Sequence, residues 1–280
     1  MQSIRKFNNR VKDDLIQRYC WSESVLDLGF GAGGDNHKYQ RAKVRRLLAV
    51  EPSDVNLAEA VKRLRCTPTE YQSRVTLIHA AGQDTDAVLD AFGVRRDPKV
   101  GVVAAFFSLT FLFESESIMD AFVATIVAAL RRGGHLIGTF MDAGETTKYL
   151  GGVPTGRSRE HPGVFEMTKR YNDADGPAFG QRLDIHINGT IVSHQVEYLA
   201  WFDLFRSKLE ANGFRLVESK MFDPPQGLDL AYFSRLFRTF AFVREQEAAT
   251  SATGKRRRDD GGSALDAATQ NKRVAPPSAD

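Results

Sequence analysis

Apolar and polar residues recur along the chain with two different periods. Between residues 4 and 19 apolar side chains return every three or four positions opposite a charged face, which predicts an amphipathic helix. Short apolar runs follow, separated by segments with helical spacing, and this alternation predicts a parallel sheet covered by helices. We expect five parallel strands, at 25–28, 45–50, 75–78, 100–107 and 135–140.

The segments between these strands carry helix signals. Asp54 is placed to cap a helix that runs to about residue 65, and Ser115 or Ser117 to cap the helix after the fourth strand. Gly133 and Gly134 are expected to end that helix. The remaining helices are predicted at 36–42 and 84–92.

The pattern changes after Leu150. We expect a loop at 151–163, a helix at 198–212 stopped by Gly213, and four strands of antiparallel character at 164–171, 182–187, 215–222 and 237–244. The first two of these strands are predicted to pair across a turn at 175–180, and the last two to form an antiparallel edge of the main sheet. The predicted fold is therefore α/β, a doubly wound, mostly parallel seven-stranded sheet with a small antiparallel insertion.

Composition indicates one folded domain, at 1–245, followed by a tail at 246–280. The hydrophobic fraction of 42% is sufficient for a packed core in a chain of this length. The tail lacks periodicity and is rich in small and charged residues, so we expect it to be disordered. It contains two basic clusters, and the sequence leaves open whether they are merely solvated or serve nuclear import or RNA contact.

The charge and cysteine content exclude several kinds of site. Two cysteines are too few for a disulfide framework or a zinc site and favour a reducing compartment, and the six histidines do not pair at metal-ligand spacing. We therefore expect no metal. With no long apolar segment and no signal-peptide pattern, we expect no membrane segment and an intracellular location. Net charge is only +3, but 38 Lys and Arg residues leave room for local basic patches.

The clearest chemical signal is a glycine-rich turn after the first strand. The run from Val25 to Asp35 places Gly29 and Gly31 where the backbone turns tightly and can approach a ligand. The second strand ends in Glu51, whose carboxylate can accept both hydroxyls of a ribose. Dinucleotide-binding folds share this pattern, and a tight turn without a ligand is the other alternative.

Several separate segments resemble the cellular and large-DNA-virus family of mRNA cap guanine-N7 methyltransferases. They follow one another in the family's order: FNNRVK at 7–12, LDLGFGAGGD at 26–35, FES at 113–115, RGGHLIGT at 132–139, PAFG at 177–180, VEYL at 196–199 and LFRTFAF at 236–242. The resemblance spans about residues 5 to 244. It implies the Rossmann-like fold of class I S-adenosylmethionine (SAM) methyltransferases.

The resemblance also implies two binding sites. The positions that match the family's SAM site are Lys12, Asp27, Gly29, Gly31, Glu51, Ala81, Phe106 and Phe111. The positions that match its cap site are Asn8, Asn9, Ala32, Lys38, Arg63, Thr110, Glu197 and Phe237. By the resemblance, Lys38 and Arg63 would pair with the cap triphosphate, and Glu197 would accept two hydrogen bonds from the guanine edge.

Some of these positions depart from the family pattern. Glu51 stands where the family has aspartate, and Ala81 where an acid would hold the adenine amino group. Thr110 and Phe111 replace a His-Tyr pair. The other replacements are Ala32 for lysine, Phe106 for glutamine and Phe237 for tyrosine. These changes remove hydrogen bonds but keep aromatic faces at 111 and 237.

The implied function is transfer of a methyl group from SAM to N7 of the mRNA cap guanosine. The N7 lone pair needs no general base, so alignment of the reactants carries the reaction, and we expect no catalytic acid or base. A separate guanylyltransferase and triphosphatase would complete the cap, and the nucleus or a viral compartment would be the place of action. Two alternatives remain open: a non-catalytic subunit that binds cap, RNA or a partner, and a small-molecule methyltransferase.

Overall fold

A seven-stranded sheet runs through the centre of the protein. The computed structural model describes residues 2–92, 99–152, 155–157, 165–172, 176–187, 195–227 and 231–245. The predicted tail at 246–280 lies outside these residues. The strands of the large sheet are β1 (Ser24–Leu28), β2 (Arg46–Glu51), β3 (Val75–His79), β4 (Val100–Phe106), β5 (Leu130–Met141), β10 (Phe214–Met221) and β11 (Phe237–Arg244).

The strand order is β10-β11-β5-β4-β1-β2-β3, and it confirms the predicted fold class. Strands β1 to β5 are parallel, as expected. The predicted antiparallel edge of the sheet is confirmed. Only β11 runs against the other strands, since β10 is antiparallel to β11 and therefore shares the direction of β1 to β5.

Helices cover both faces of this sheet. They are α1 (Gln2–Tyr19), α2 (Asn36–Arg41), α3 (Asp54–Arg65), α4 (Thr69–Gln72), α5 (Thr85–Phe92), α6 (Leu109–Leu112), α7 (Glu116–Ala129), α8 (Ala143–Leu150), α9 (Phe202–Ala211) and α10 (Ala231–Ser234). The side chains of a strand alternate between two cores: Val25 packs on the α1 side and Leu26 on the α7 side. All seven residues of β4 are buried, which accounts for its continuous apolar run.

A second, four-stranded antiparallel sheet forms the insertion. Its strands are β6 (Thr155–Arg157), β7 (Phe165–Lys169), β8 (Arg182–Ile187) and β9 (Gln195–Tyr198). The predicted pairing of β7 with β8 is confirmed. The predicted loop at 151–163 contains β6, and its residues 153–154 and 158–163 lie outside the described residues, as does residue 175 of the predicted turn.

Three predicted helix boundaries are wrong. Ser53, not Asp54, caps α3, because its side chain accepts a hydrogen bond from the Asn56 amide. Helix α7 ends at Ala129, and Gly133 and Gly134 lie inside β5. A Cβ at Gly134 would lie 2.8 Å from the Gly101 carbonyl oxygen, so the small residue serves close strand packing.

The third boundary concerns the predicted helix at 198–212. Tyr198 pairs with Arg182 as the last residue of β9, and the helix begins only at Phe202. Strand pairing therefore overrides the helical spacing of the first four predicted residues. Gly213 follows the helix with φ +78°, which agrees with its predicted role as the stop.

Candidate functional site

The glycine-rich turn leaves the carboxyl end of β1 next to the end of β4. Gly29 has φ +98° and Gly31 φ +62°, a region that favours glycine. A Cβ at Gly29 would lie 2.5 Å from the Cβ of Ser108, whose hydroxyl donates a 2.8 Å hydrogen bond to the Leu28 carbonyl. At Gly31 a Cβ would meet no atom within 4 Å. The turn is thus packed tightly at Gly29 and open at Gly31.

We expect Gly29→Ala to lower the free energy of unfolding by about 1–3 kcal/mol, since it adds overpacking to an unfavourable φ. Gly152→Ala is the matched control, because Gly152 also has a positive φ, +81°, but nothing lies within 4 Å of its missing Cβ. Urea unfolding of both variants measures the difference. Equal losses would show that the Ser108 contact relaxes at no cost.

Glu51, at the end of β2, is buried and held by three hydrogen bonds. Oε2 accepts from the Gly31 amide at 2.8 Å, and Oε1 accepts from the Ser53 amide at 3.0 Å and from the Asn56 side chain at 3.2 Å. Its carboxylate is therefore fixed beside the glycine turn, where the sequence places a ribose-binding acid.

Asp27 lies behind the turn with one oxygen satisfied and one free. Oδ2 accepts a 2.7 Å hydrogen bond from the Tyr39 hydroxyl, while Oδ1 is buried and has no partner among the described residues. Burial raises the pKa of Asp27 to about 7, against the opposing effect of the Tyr39 bond. A buried acceptor without a donor is costly, so this oxygen is suited to a donor from a ligand.

Asp35 joins residues from both predicted sites. Its Oδ2 pairs with Lys12 Nζ at 2.7 Å, and its Oδ1 pairs with Lys38, whose ammonium also donates to the Asn9 side chain at 3.2 Å. Asp35 and Lys38 are only 7% and 2% exposed. Burial alone would raise the pKa of Asp35, but the ammonium groups of Lys12 and Lys38 outweigh it and hold that pKa below its ordinary value.

Aromatic side chains form a wall beside Lys12. Its Nζ lies 5.5 Å from the centre of the Phe107 ring, and the Phe237 ring lies 5.2 Å from Phe107 at near right angles. Phe222 packs 6.3 Å from Phe107 and 6.0 Å from Phe7. Phe107 has φ +57°, a rare conformation for a bulky residue that concentrates at functional sites.

Glu197 lies on β9 opposite α6, which carries Thr110. Burial raises the pKa of Glu197 to about 7, while a hydrogen bond with the Thr110 side chain acts in the opposite direction. Thr110 itself is buried, 2% exposed. The structure thus brings two of the predicted cap residues into contact and leaves a carboxyl group that titrates near neutral pH.

The remaining predicted site residues make separate contacts and do not form one cluster among the described residues. Asn8 accepts a 2.8 Å hydrogen bond from the Ser234 hydroxyl. Arg63 is exposed and donates to Glu59 at 2.9 Å, with its guanidinium near Gly34. Phe106 is buried in the core on the α1 side. Residues that are half-buried at the carboxyl edge of the sheet are Ala32, Ala81 and Phe111.

Sequence reasoning missed four contributors to this site. Asp35 was visible as the acid that closes the glycine motif, and Ser53 and Asn56 follow Glu51 directly, so their positions carried a signal. Phe107 follows Phe106 at the end of β4, but nothing in the sequence indicates its positive φ.

The site has the donors and acceptors for a nucleoside that carries an amino-acid tail. Two fixed oxygens of Glu51 suit ribose hydroxyls, the free Oδ1 of Asp27 suits an ammonium group, and Lys12 suits a carboxylate. The open side of Gly31 gives the backbone room for close approach by a ligand.

Within the described ranges, no cluster of three His, Cys, Asp or Glu side chains is arranged to hold a metal ion. In the same ranges, no helix is long and apolar enough to cross a membrane.

Comparison with known proteins gives a family match over most of the chain. The model of the mRNA (guanine-N(7))-methyltransferase domain matches residues 1–230. The mRNA cap guanine-N(7) methyltransferase of Saccharomyces cerevisiae is 27% identical over 230 residues, which cover 79% of this chain and 52% of the relative. The enzyme of the same name from Schizosaccharomyces pombe is 25% identical and is covered to 61%. The chain thus spans a little over half the length of these relatives.

Solved structures show the same fold at low identity. The CcbJ methyltransferase from Streptomyces caelestis superposes with a TM-score of 0.59 at 15% identity, covering 86% of this chain and 90% of that one. The glycopeptide N-methyltransferase MtfA complexed with S-adenosyl-L-methionine gives a TM-score of 0.54 at 17% identity, covering 84% and 87%.

Proposed function

The chain belongs to the mRNA (guanine-N7)-methyltransferase family, and from that premise we propose that it transfers a methyl group from SAM to N7 of the mRNA cap guanosine. The observation that supports this most is the arrangement around Asp35. One buried carboxylate joins Lys12, assigned to SAM, with Lys38 and Asn9, assigned to the cap. These contacts support a proposal in which the two ligands bind side by side, as a direct transfer between them requires.

We assign SAM to the residues around the glycine turn. Glu51 would accept the ribose hydroxyls, Asp27 the amino group and Lys12 the carboxylate of the methionine part. Bound SAM would supply an electrophilic methyl group carried by a positively charged sulfur. Burial raises the pKa of Asp27 to about 7, and an ammonium group beside its unpaired Oδ1 would favour the ionised carboxylate.

We assign the guanine to Glu197 and the aromatic wall. An ionised Glu197 would accept hydrogen bonds from two donors of the guanine edge, and Phe237 would offer a ring face. The base gains positive charge as N7 is methylated, so the carboxylate binds more strongly as the reaction proceeds. Because N7 presents its own lone pair, the protein's contribution is to position and to stabilise charge, and no side chain has to remove a proton.

The test is a transfer assay with labelled SAM and RNA that begins with GpppG or GpppA, in which labelled N7-methylguanosine is the expected product. A second measurement, calorimetry of SAM binding, tests the site. Glu51→Ala is expected to weaken SAM binding by at least about 1.5 kcal/mol, since charge-assisted hydrogen bonds are lost. Glu59→Ala, an exposed carboxylate on α3, is the matched control and should leave SAM affinity unchanged.

Two results would contradict the proposal. Unchanged SAM affinity in Glu51→Ala would remove this residue from the site. SAM binding by the wild-type protein without methyl transfer to either RNA would instead support a non-catalytic subunit.

The same proposal includes the capped 5′ end of mRNA as partner, a guanylyltransferase and a triphosphatase on other chains, and an intracellular place of action in a nucleus or a viral replication compartment.

A further inference from the structure

A groove of about 270 Å³ lies between α1 and the outer strands β10 and β11. We call it the α1 groove. It is lined by Arg10, Val11, Asp14, Leu15, Arg18, Lys220 and Thr239. Three cations and one carboxylate thus line the groove. None of its lining residues is assigned to the SAM site or the cap site.

The charges of the groove are unevenly compensated. Arg18 is bound by Asp14 at 3.0 Å and by Glu218 at 2.5 Å, so the end of the groove near Arg18 is neutralised. Arg10 and Lys220 form no ion pair with any residue that the structure describes. Arg10 and Lys220 are therefore the groove cations outside the ion-pair cluster of Arg18, and Lys220 also acts electrostatically on Glu218.

Arg10 and Lys220 lie close along the chain to two residues of the aromatic wall, Phe7 and Phe222. Phe7, one turn before Arg10 on α1, packs 6.0 Å from Phe222, and Phe222 packs 5.8 Å from Phe237. Lys220 lies near the end of β10, and Phe222 directly follows that strand. The Phe222 amide donates to the Phe237 carbonyl at 2.8 Å. Arg5 and Lys6 are exposed on the preceding turn of α1 and extend the positive surface.

We propose that the α1 groove binds the phosphates of the RNA nucleotides that follow the cap. This rests on the proposed function, because Phe237, which packs 5.8 Å from Phe222, is a candidate cap residue. An RNA chain attached to a cap held there would meet Arg10 and Lys220 first. Lysine and arginine contacts to phosphates give affinity without sequence preference, which suits an enzyme that must accept every capped transcript.

The first experiment measures RNA binding without a cap. Arg10→Gln combined with Lys220→Gln removes both charges while keeping side chains of similar length. The probe is a fluorescently labelled single-stranded RNA of about 20 nucleotides, titrated between about 50 and 200 mM salt. We expect the double variant to bind at least fivefold more weakly at low salt. The slope of log affinity against log salt should fall by about 1.4, the value for two lost contacts to a single strand.

The matched control is Lys62→Gln combined with Arg65→Gln, which removes two exposed charges from α3, and it should bind RNA as the wild type does. Equal affinity and salt slope in the wild type and the groove variant would overturn the proposal. So would displacement of the RNA by polyglutamate at equal charge concentration, since the groove would then be a site for an acidic polypeptide.

The second experiment links the groove to transfer. The groove variant should show a raised KM for capped RNA of about 20 nucleotides and an unchanged rate on the cap dinucleotide GpppG, which has no chain to place in the groove. Equal KM values for the two proteins on capped RNA would contradict the proposal. If the wild type transfers no methyl group at all, the proposed function fails, but binding of uncapped RNA still decides the role of the groove.

Discussion

Glu197→Gln is expected to slow methyl transfer to capped RNA by about 10- to 150-fold, which corresponds to the 1.5–3 kcal/mol of a hydrogen bond to a charged group. The variant keeps the shape and one acceptor but loses the negative charge that opposes the charge developing on guanine. SAM affinity, measured by calorimetry, should stay unchanged because Glu197 lies on β9, apart from the glycine turn. A wild-type rate would remove Glu197 from the cap site.

The pH dependence gives a second signature of the same residue. Burial raises the pKa of Glu197 to about 7, so its carboxyl group is mostly protonated below that pH. The protonated group lacks the negative charge that opposes the charge developing on guanine. The value of kcat/KM for capped RNA should therefore rise as pH increases towards about 7 and then level off, with a total rise no larger than the 10- to 150-fold effect of Glu197→Gln. Glu197→Gln should lose this rise.

The assay must separate Glu197 from Asp27. Burial raises the pKa of Asp27 to about 7 as well, and its ionisation would affect SAM binding. Saturating SAM suppresses that contribution, so a rise that persists at saturation and disappears in Glu197→Gln belongs to Glu197. A rise that survives in the variant would assign the titration to another group.

Local patterns were sufficient to predict the parallel half of the fold. Strands β2 and β4 are almost completely buried, so each contains a continuous apolar run, and the helices between the parallel strands keep one apolar face. The glycine motif carries its own conformational requirement, because Gly29 and Gly31 adopt the positive φ that their spacing indicates.

Features set by tertiary contacts could not be predicted. Gly133 and Gly134 look like a helix end, but Gly134 is required by the approach of Gly101 from another strand. The predicted helix starts at Tyr198, the last residue of β9, because the pairing of Tyr198 with Arg182 of β8 is a contact that local spacing does not reveal. The positive φ of Phe107 has no sequence signal, since bulky residues avoid that region.

The predicted site residues were identified one at a time from their motifs, and the structure adds the link between them. Lys12 comes from the FNNRVK segment and Lys38 from the helix after the glycine turn, and a motif comparison treats them as independent. The two ammonium groups share one carboxylate, that of Asp35. Lys38 is buried and Lys12 is half-buried, so the carboxylate between them offsets the cost of bringing two like charges together.

Asp35→Asn is accordingly expected to lower the free energy of unfolding by about 3–5 kcal/mol, the usual cost of removing one partner from a buried ion pair. It should also weaken SAM binding, because Lys12 loses the group that orients it.

The pH dependence of the free energy of unfolding has a defined sign. The pKa of Asp35 is held below its ordinary value, so the stabilisation from Asp35 is present at neutral pH and is lost as pH falls through that lowered pKa. The variant should lack this acid-dependent loss.

Asp184→Asn supplies the matched control for urea unfolding of Asp35→Asn. Asp184 also binds two cations, Arg170 at 2.7 Å and Arg182 at 2.8 Å, but on the surface of the small sheet. Because exposed ion pairs contribute about 0–1 kcal/mol, its removal should cost less than about 1 kcal/mol. Equal losses in the two variants would show that Lys12 and Lys38 reach solvent when Asp35 is neutralised. Asp35 would then not be the residue that holds the two predicted binding sites together.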